Sequence, residues 1–199
     1  MTKTIIFDLG GVLIDWNPRY LYRKLFDTEA EVEDFLTRIC THDWNEQQDA
    51  GRPFAEGIAL LTEKHPEQRH MIEAYFDRWS EMLGGAHDGT VEVLDKLRGR
   101  DVRLFALTNF SAETFPVARQ HYEFLSWFEG ILVSGEEGMK KPDPGIFHLL
   151  ADRYGLTLEG AAFIDDVPKN VEAARRLGVH AIHFTSPTEL QREIDRFLA

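Results

Sequence analysis

Three acidic residues follow apolar segments that have the length and composition of buried strands. Asp8 comes after the first such segment, and the adjacent Asp165 and Asp166 come after a later one. Neighbouring carboxylates at a buried position repel one another unless a cation compensates their charge. Mg²⁺ suits such a position because it prefers a few oxygen ligands and often shares the phosphate oxygens of a substrate. Asp8 and Asp166, together with a backbone carbonyl, are therefore candidate ligands of a magnesium ion.

Further polar residues lie at similar places in the sequence. Thr108 and Asn109 follow a second apolar segment, and Lys141 lies in the segment GMKKPDP after a third. A metal ion and Lys141 could neutralise a phosphoryl group while the Asp8 carboxylate attacks phosphorus and forms an aspartyl-phosphate. Each residue alone also fits a turn, a helix cap or a solvated position. Their combination is what indicates phosphoryl transfer.

Five short apolar runs, rich in β-branched and aromatic residues, predict strands that are buried on both faces. They are residues 4–9, 102–107, 130–133, 161–164 and 180–184. Helical patterns separate them, and the last helix opens with Ser186 as N-cap and Pro187 as first helical residue. This alternation predicts an α/β fold with a doubly wound parallel sheet and helices on both faces. Ligands of such sheets bind outside the carboxyl ends of the strands, where the polar residues lie.

The segment 17–85 interrupts this alternation, because its apolar residues follow helical spacing throughout. Val32, Phe35 and Leu36 are an example of one helical face. We interpret the segment as an inserted α-helical cap. The remaining residues, 1–16 and 86–199, then form the α/β core.

The composition is that of an ordinary globular protein and excludes several kinds of partner. Hydrophobic residues make up 43% of the 199 residues, and the formal net charge is −12. This acidic excess argues against nucleic acid and anionic membranes, which are bound mainly through clustered Lys and Arg. Neither a signal segment nor an apolar stretch near the ~20 residues of a membrane span is visible. With Cys40 as the single cysteine, we expect a cytoplasmic protein, a monomer or a homodimer.

Four ordered segments of the sequence resemble the motifs of the haloacid dehalogenase-like hydrolases. They are IIFDLGGVLID at 5–15, LTN at 107–109, KKPDPGIF at 140–147 and FIDD at 163–166. The helical insert directly after the first motif resembles the small α-helical cap of that family. The resemblance implies a Mg²⁺-dependent phosphatase that acts on a small phosphorylated substrate, a phosphomonoester.

The resemblance also implies roles for the motif residues around the phosphoryl group. Asp8 is expected to be the nucleophile. Thr108 and the backbone of Asn109 are expected to hold the transferred phosphoryl group. Lys141, rather than Lys140, is expected to neutralise charge between the nucleophile and the substrate.

The expected metal ligands follow from the same resemblance. Asp166 would bind Mg²⁺ directly, together with Asp8 and the backbone carbonyl of Gly10. Asp165 would either support the site or bind the metal through water.

The sequence departs from the family pattern at Gly10. Phosphatases of the family usually carry a second Asp there, two residues after the nucleophile, as general acid and base. Such a group typically contributes about 10²–10⁴-fold to the rate, so we expect slower turnover or a narrower substrate range. The DLG form resembles sugar-phosphate phosphatases of the glucose-1-phosphate phosphatase type. An anomeric phosphate, with its good leaving group, would need less acid assistance.

A polar stretch of the insert that begins at His42 is a candidate substrate surface. Trp44 could stack on a sugar ring, while Asn45, Gln47 and Asp49 could reach its hydroxyl groups. Either Asp49 or His42 could supply the missing proton transfer. The alternative is a solvated helix with Trp44 packed beneath it.

Two other functions stay open at this point. A 2-haloacid dehalogenase would use the same nucleophile without metal, but it would carry Tyr, Thr and Tyr where this chain has Gly10, Val12 and Phe147. It would also lack the acidic pair at 165–166. A non-catalytic protein that binds a phosphorylated metabolite would explain Gly10, although the other motif residues are all present.

Overall fold

Five parallel strands form the central sheet within residues 2–199, which the computed structural model describes. The strands along the chain are β1 (Lys3–Phe7), β2 (Ile14–Trp16), β3 (Leu83–Ala86), β4 (Val102–Thr108), β5 (Gly130–Val133), β6 (Ala162–Asp165) and β7 (His180–His183). The helices are α1 (Arg19–Tyr22), α2 (Glu29–Arg38), α3 (His42–Asp49), α4 (Phe54–Lys64), α5 (Arg69–Asp77), α6 (Asp88–Arg98), α7 (Phe115–His121), α8 (Ser134–Glu137), α9 (Pro144–Tyr154), α10 (Pro168–Arg176) and α11 (Pro187–Leu198).

The order of the central strands is β5-β4-β1-β6-β7. Strand β1 lies at the centre and pairs in parallel with β4 on one side and with β6 on the other. After β5, at one edge, the chain crosses to β6 on the far side of β1, so the strand order reverses next to β1. In open parallel sheets this reversal creates a crevice at the carboxyl ends of the strands, where ligands bind. The predicted doubly wound α/β fold is confirmed.

The central strands are buried on both faces, as their continuous apolar sequences predict. Ile5 and Phe7 of β1 belong to the hydrophobic cluster that includes residues of α6, α11 and the insert, whereas Ile6 packs with residues of α9 and α10. The alternation arises because successive side chains of a strand point to opposite faces. All five predicted strands are present, and their ends differ from the prediction by two residues or fewer.

Helices α1–α5 lie between β2 and β3, within the segment that we interpret as a cap. The expectation of helix alone up to residue 85 is wrong at its end, because Leu83–Ala86 is a strand that pairs antiparallel with β2. Glycines 84 and 85 have a low strand propensity, so the pattern did not reveal the strand. In this two-stranded ribbon the Asp15 side chain lies close to the backbone of Gly84. A Cβ on Gly84 would lie 2.3 Å from Oδ2 of Asp15, so a larger residue would not fit there.

Local sequence signals determine the ends of several helices. The Ser186 hydroxyl accepts a hydrogen bond from the Glu189 backbone N–H at 3.3 Å, which confirms the predicted cap of α11. Thr28 and Glu31 form a capping box at the start of α2. Of the helices in residues 2–199, none is long and apolar enough to cross a membrane.

Candidate active site

Asp8 lies at the carboxyl end of the central strand β1 and is almost fully buried. Its backbone N–H donates to the Ile164 carbonyl at 2.8 Å, which attaches it to the neighbouring strand β6. The carboxylate oxygen Oδ1 accepts from the Leu9 N–H at 2.7 Å, and Oδ2 lies 2.9 Å from Nζ of Lys141. Burial raises the pKa of Asp8 to about 8, and the opposing charge of Lys141 does not cancel this effect. The carboxylate is firmly held, but further positive charge would be needed to keep it ionised at neutral pH.

Lys141 is fully buried, and its ammonium group contacts two carboxylates. Nζ lies 2.9 Å from Asp8 and 2.8 Å from Asp165, and it donates to the Leu107 carbonyl at 2.8 Å. Burial works to lower the pKa of Lys141, but the charges of Asp8 and Asp165 outweigh burial and hold it above its usual value. Three partners match the three N–H groups of an ammonium ion. Lys141 is therefore a fixed positive charge at the centre of the site.

Asp165 and Asp166 lie side by side after β6 but have different surroundings. The Asp165 carboxylate accepts from the Val167 N–H at 2.8 Å and from the Asn170 amide at 3.1 and 3.0 Å, in addition to Lys141. Within residues 2–199 no side chain donates a hydrogen bond to the Asp166 carboxylate, although a ring nitrogen of His183 lies 3.0 Å from the Asp166 backbone carbonyl oxygen. Burial raises the pKa of Asp166, and the charge of Asp165 adds to the effect. Asp165 thus anchors the site, whereas Asp166 offers free oxygen atoms.

These carboxylates fit a divalent metal ion. Asp8, Asp165 and Asp166 each offer an oxygen atom, and the three atoms lie within 4.8 Å of one another. Three carboxylates and one ammonium group leave two formal negative charges, three minus one, in a largely buried place. A divalent cation would balance that charge, and Mg²⁺ prefers oxygen ligands. Asp166 and Asp8 are the better candidate ligands, because both line the cavity, whereas the Asp165 carboxylate is fully buried and accepts four hydrogen bonds.

Thr108 and Asn109 lie at the end of β4, beside the same cluster. Thr108 is buried, and its hydroxyl has no hydrogen-bond partner within residues 2–199. Leaving a buried hydroxyl unsatisfied is costly, so this group is available to donate to a ligand oxygen, although Thr108 is not one of the residues that line the cavity in front of the cluster. The Asn109 side chain donates to the Lys141 carbonyl at 2.9 Å and accepts from the Lys141 N–H at 2.8 Å. Sequence reasoning considered the backbone of Asn109 and missed this role of its side chain in positioning Lys141.

The two glycines at positions 10 and 11, shortly after Asp8, have different surroundings. Gly11 has a φ of +73°, and a Cβ there would lie 2.3 Å from Oδ2 of Asp166. A Cβ on Gly10 would meet no described atom within 4 Å. Open space therefore lies where the family pattern places a second acidic side chain.

A cavity of about 280 Å³ lies in front of the carboxylate cluster, between the core and helix α3. Its core wall includes Asp8, Gly10, Asn109 and Asp166. Four aromatic side chains also line it, namely Trp16, Phe54, Trp79 and Phe110. Ligand pockets commonly have volumes of about 300–1,000 Å³, so this cavity suits a compact substrate.

Helix α3 presents only part of the predicted polar stretch to the cavity. The residues of α3 that line it are His42, Asn45, Glu46 and Asp49. Trp44 is 8% exposed, its indole N–H donates to the Gly57 carbonyl at 3.1 Å, and its ring packs edge-on against Tyr75. The expectation that Trp44 stacks on a sugar ring is wrong, because the helix turns this side chain into the interior of the insert. Gln47 lies outside the cavity wall.

Glu46 connects α3 to the core. Its carboxylate accepts from Lys140 at 2.6 Å and from Lys169 at 3.0 Å, and it lies 3.3 Å from His42. Burial works to raise the pKa of Glu46, but the hydrogen bonds from the two lysines outweigh burial and bring it to about 2. Lys140 is thus bound away from the carboxylate cluster, and Lys141 is the lysine that the fold places beside Asp8.

Two sets of residues were missed by sequence reasoning. Asn170 holds Asp165, and its place five residues later, at the start of the helix after β6, is a signal that could have revealed it. The aromatic wall comes from Trp16, Phe54, Trp79 and Phe110, which lie far apart in the sequence. No local pattern connects these four residues.

Comparisons with known proteins place this chain in a family. A family model described as haloacid dehalogenase-like hydrolase matches residues 2–178. The sesquiterpene phosphatase astK of Aspergillus oryzae is 30% identical, over 92% of this chain and 90% of that protein. The phosphorylated carbohydrates phosphatase of Thermotoga maritima is 27% identical, over 91% of this chain and 84% of that protein.

A solved structure shows the same fold. A haloacid dehalogenase family enzyme of Bacteroides thetaiotaomicron, in complex with magnesium and inorganic phosphate, aligns with a TM-score of 0.70 and 23% identity, covering 93% of this chain and 95% of that chain. The family predicted from the four motifs is confirmed. This chain therefore belongs to the haloacid dehalogenase-like hydrolases, among the enzymes of phosphatase type.

Proposed function

We propose that this chain hydrolyses a small phosphomonoester with Mg²⁺, through an aspartyl-phosphate on Asp8. The observation that carries the proposal is the cluster of carboxylates around Lys141 at the end of the central strand. Asp8 lines the cavity directly, so a substrate bound there would meet its carboxylate. Asp165, by contrast, is fully buried and bound to donors.

In the proposed reaction each of these residues has a separate role. The Asp8 carboxylate attacks phosphorus while the bond to the leaving oxygen breaks. Lys141 places a fixed positive charge beside the nucleophile, and the Thr108 hydroxyl with the Asn109 N–H donates hydrogen bonds to the phosphoryl oxygens. Such preorganised donors need no rearrangement as charge develops. Water then attacks the aspartyl-phosphate, which releases phosphate and restores Asp8.

Asp8, Asp166 and the Gly10 carbonyl would hold the magnesium ion, and Asp165 would support them. When bound, the ion neutralises negative charge on the phosphoryl group and on the carboxylates. The two uncompensated charges of the cluster and the raised pKa values of Asp8 and Asp166 support this assignment. A structural relative from B. thetaiotaomicron holds magnesium and inorganic phosphate.

The leaving group has two candidate classes. The motif resemblance favours a sugar phosphate, and the T. maritima relative is a phosphatase of phosphorylated carbohydrates. The aromatic wall favours an alcohol with an apolar body, and the A. oryzae relative is a sesquiterpene phosphatase. Sugar hydroxyls that face an apolar wall lose hydrogen bonds with water, which costs binding energy. We therefore keep the apolar alcohol phosphate as a second candidate beside the sugar phosphate.

Phosphate release from a panel of substrates tests both the magnesium-dependent reaction on Asp8 and the class of the leaving group. The panel contains sugar phosphates, nucleoside monophosphates and isoprenyl monophosphates, each with magnesium and with a chelator. We expect release that requires magnesium and is lost in Asp8→Asn. A higher kcat/KM for isoprenyl phosphates than for sugar phosphates would support the apolar class, and the reverse order would support the sugar class.

The same assays, with an assay of chloride release, distinguish the proposed phosphatase from a dehalogenase and from a non-catalytic binding protein. Metal-independent chloride release from 2-chloropropionate, without phosphate release, would identify a dehalogenase. No turnover in either assay would support a binding protein. The carboxylate pair after β6 argues against a dehalogenase, since its charge calls for a cation. The cytoplasmic location and the monomeric or homodimeric state stay predictions.

A further inference from the structure

We infer that Asp49, on helix α3, is the general acid and base that the position of Gly10 lacks. The inference rests on the proposed phosphatase reaction. Asp49, Gly10 and Asp8 line the same cavity. The open space beside Gly10 and the residue Asp49, which comes from a different part of the chain, therefore border the same cavity.

The other titratable groups of the cavity wall are engaged or exposed. Glu46 is held ionised by Lys140 and Lys169, so it has no proton to donate near neutral pH. The side chain of His42 is 74% exposed and lies 3.3 Å from Glu46, at the rim of the site. Asp8 and Asp166 serve as nucleophile and proposed metal ligand. Among the described acidic and histidine residues that line the cavity, this leaves Asp49.

The surroundings of Asp49 allow it to exchange a proton near neutral pH. Burial raises the pKa of Asp49 to about 7, and the charge of Glu46 adds to this, while Lys140 and a backbone hydrogen bond from Ser111 oppose it. The Asn45 amide donates to Oδ2 of Asp49 at 3.1 Å and orients the carboxyl group. A general acid and base works best with a pKa near the working pH.

The end of α3 is fixed to the core, so Asp49 keeps its position in the cavity wall. The Ser134 hydroxyl, at the end of β5, donates to the Asp49 backbone carbonyl. Two residues after Asp49, the backbone of Gly51 lies close to the backbone of residues 135–138. A Cβ on Gly51 would lie 3.2 Å from Cα of Gly138 and 3.3 Å from the Gly135 carbonyl oxygen. Held in this way, Asp49 does not depend on a movement of the whole insert.

The proton balance of the two steps is complete with this residue. In the first step the Asp8–phosphorus bond forms, the bond from phosphorus to the leaving oxygen breaks, and the Asp49 carboxyl gives that oxygen its proton. In the second step the Asp49 carboxylate removes a proton from the attacking water. Phosphate leaves, Asp8 returns to a carboxylate, and Asp49 is protonated again.

Asp49→Asn tests this role with two substrates of different leaving group. An alkyl phosphate needs a proton on its leaving oxygen, whereas p-nitrophenyl phosphate releases a stable anion. We expect kcat/KM for the alkyl phosphate to fall by about 100-fold or more, and kcat/KM for p-nitrophenyl phosphate by about threefold or less. The exposed Asp43 of the same helix provides the control, because Asp43→Asn should leave both values unchanged. Gly10→Asp in the Asp49→Asn background should restore part of the lost activity on the alkyl phosphate.

The wild-type enzyme provides a check that does not depend on the folding of a variant. Since the first step needs the protonated form of Asp49, kcat/KM for the alkyl phosphate should decline as the pH rises above about 7, and kcat/KM for p-nitrophenyl phosphate should not. Equal losses on both substrates in Asp49→Asn, or identical pH profiles in the wild type, would overturn the inference. Failure of the proposed function is distinct, because then the wild type would release no phosphate from either substrate, and the inference would fall with it.

Discussion

The ammonium group of Lys141 lies 2.9 Å from Oδ2 of Asp8, and both side chains are shielded from solvent. Coulombic attraction is strong at such a site, but each charge has lost its hydration, so the pair is stable only as long as both members are present. Asp165 shares the same ammonium group. The site therefore depends on one lysine both for its charge balance and for its fold.

Removing this lysine should destabilise the protein strongly. Lys141→Met leaves Asp8 and Asp165 without their shared cation, and we expect the free energy of unfolding to fall by about 3–5 kcal/mol. Urea denaturation at pH 7 measures the loss. The matched control is Lys140→Met, which should cost about 1 kcal/mol or less, because Glu46 keeps Lys169 as a partner. Similar losses in the two variants would contradict this account.

Asn170 should tune the magnesium dependence by holding Asp165 in place. Asn170→Ala removes the hydrogen bonds at 3.1 and 3.0 Å that hold the Asp165 carboxylate. Loss of such a supporting contact typically costs about 10–100-fold in metal affinity or activity. We expect the magnesium concentration for half-maximal phosphate release to rise by that order. Glu172→Ala, at an exposed position on the same helix, should leave it unchanged.

Gly11 should tolerate no side chain. A Cβ there would collide with Asp166 at 2.3 Å, and the φ of +73° is unfavourable for most other residues. We expect Gly11→Ala to lower stability and also to raise the magnesium requirement of phosphate release. Gly160 has a similar φ of +80°, but a Cβ there would meet no described atom within 4 Å. Gly160→Ala should therefore show the loss of stability alone, and a changed magnesium requirement in that variant would refute the explanation.

Asp49 should be a source of instability at neutral and alkaline pH. Its folded-state pKa of about 7 lies above the ordinary 3.8, so the folded state holds the proton more tightly than the unfolded state. Stability is therefore lost as the pH rises from about 4 to 7, and the full cost is present above that range. We expect Asp49→Asn to raise the melting temperature at pH 8 and to have little effect at pH 4. A pH-independent change, or the same change in Asp43→Asn, would contradict the prediction.

The strands of the central sheet were predictable because a strand that is buried on both faces is apolar at nearly every position. In 102–107, for example, almost every position is apolar, and β4 starts at the predicted residue. The sequences of β2 and β3, which form the two-stranded ribbon, contain no such continuous apolar run. The ribbon is stabilised by contact between distant segments, and Gly84 is there because Asp15 approaches closely, not because glycine favours strands.

The carboxylate cluster could be predicted because the end of a parallel strand is a place that topology determines. Asp8 and Asp166 follow their strands directly, so the fold alone brings them together. The cavity wall could not be predicted in the same way. Trp44 and Asp49 lie on one helix, and only the packing of that helix in the fold decides that Trp44 is buried against Tyr75 while Asp49 lines the cavity.

The contact of Gly51 with Gly138 also bears on how such enzymes can be recombined. A chimera that exchanges residues 17–85 with those of a relative would cut the chain at the ribbon and leave α8 and Gly138, which follow β5, unchanged. Any residue larger than glycine at the incoming position 51 would then push against the backbone of that segment. The exchangeable unit is therefore discontinuous, and grafts that include residues 134–138 together with the insert should yield more folded protein than grafts of the insert alone.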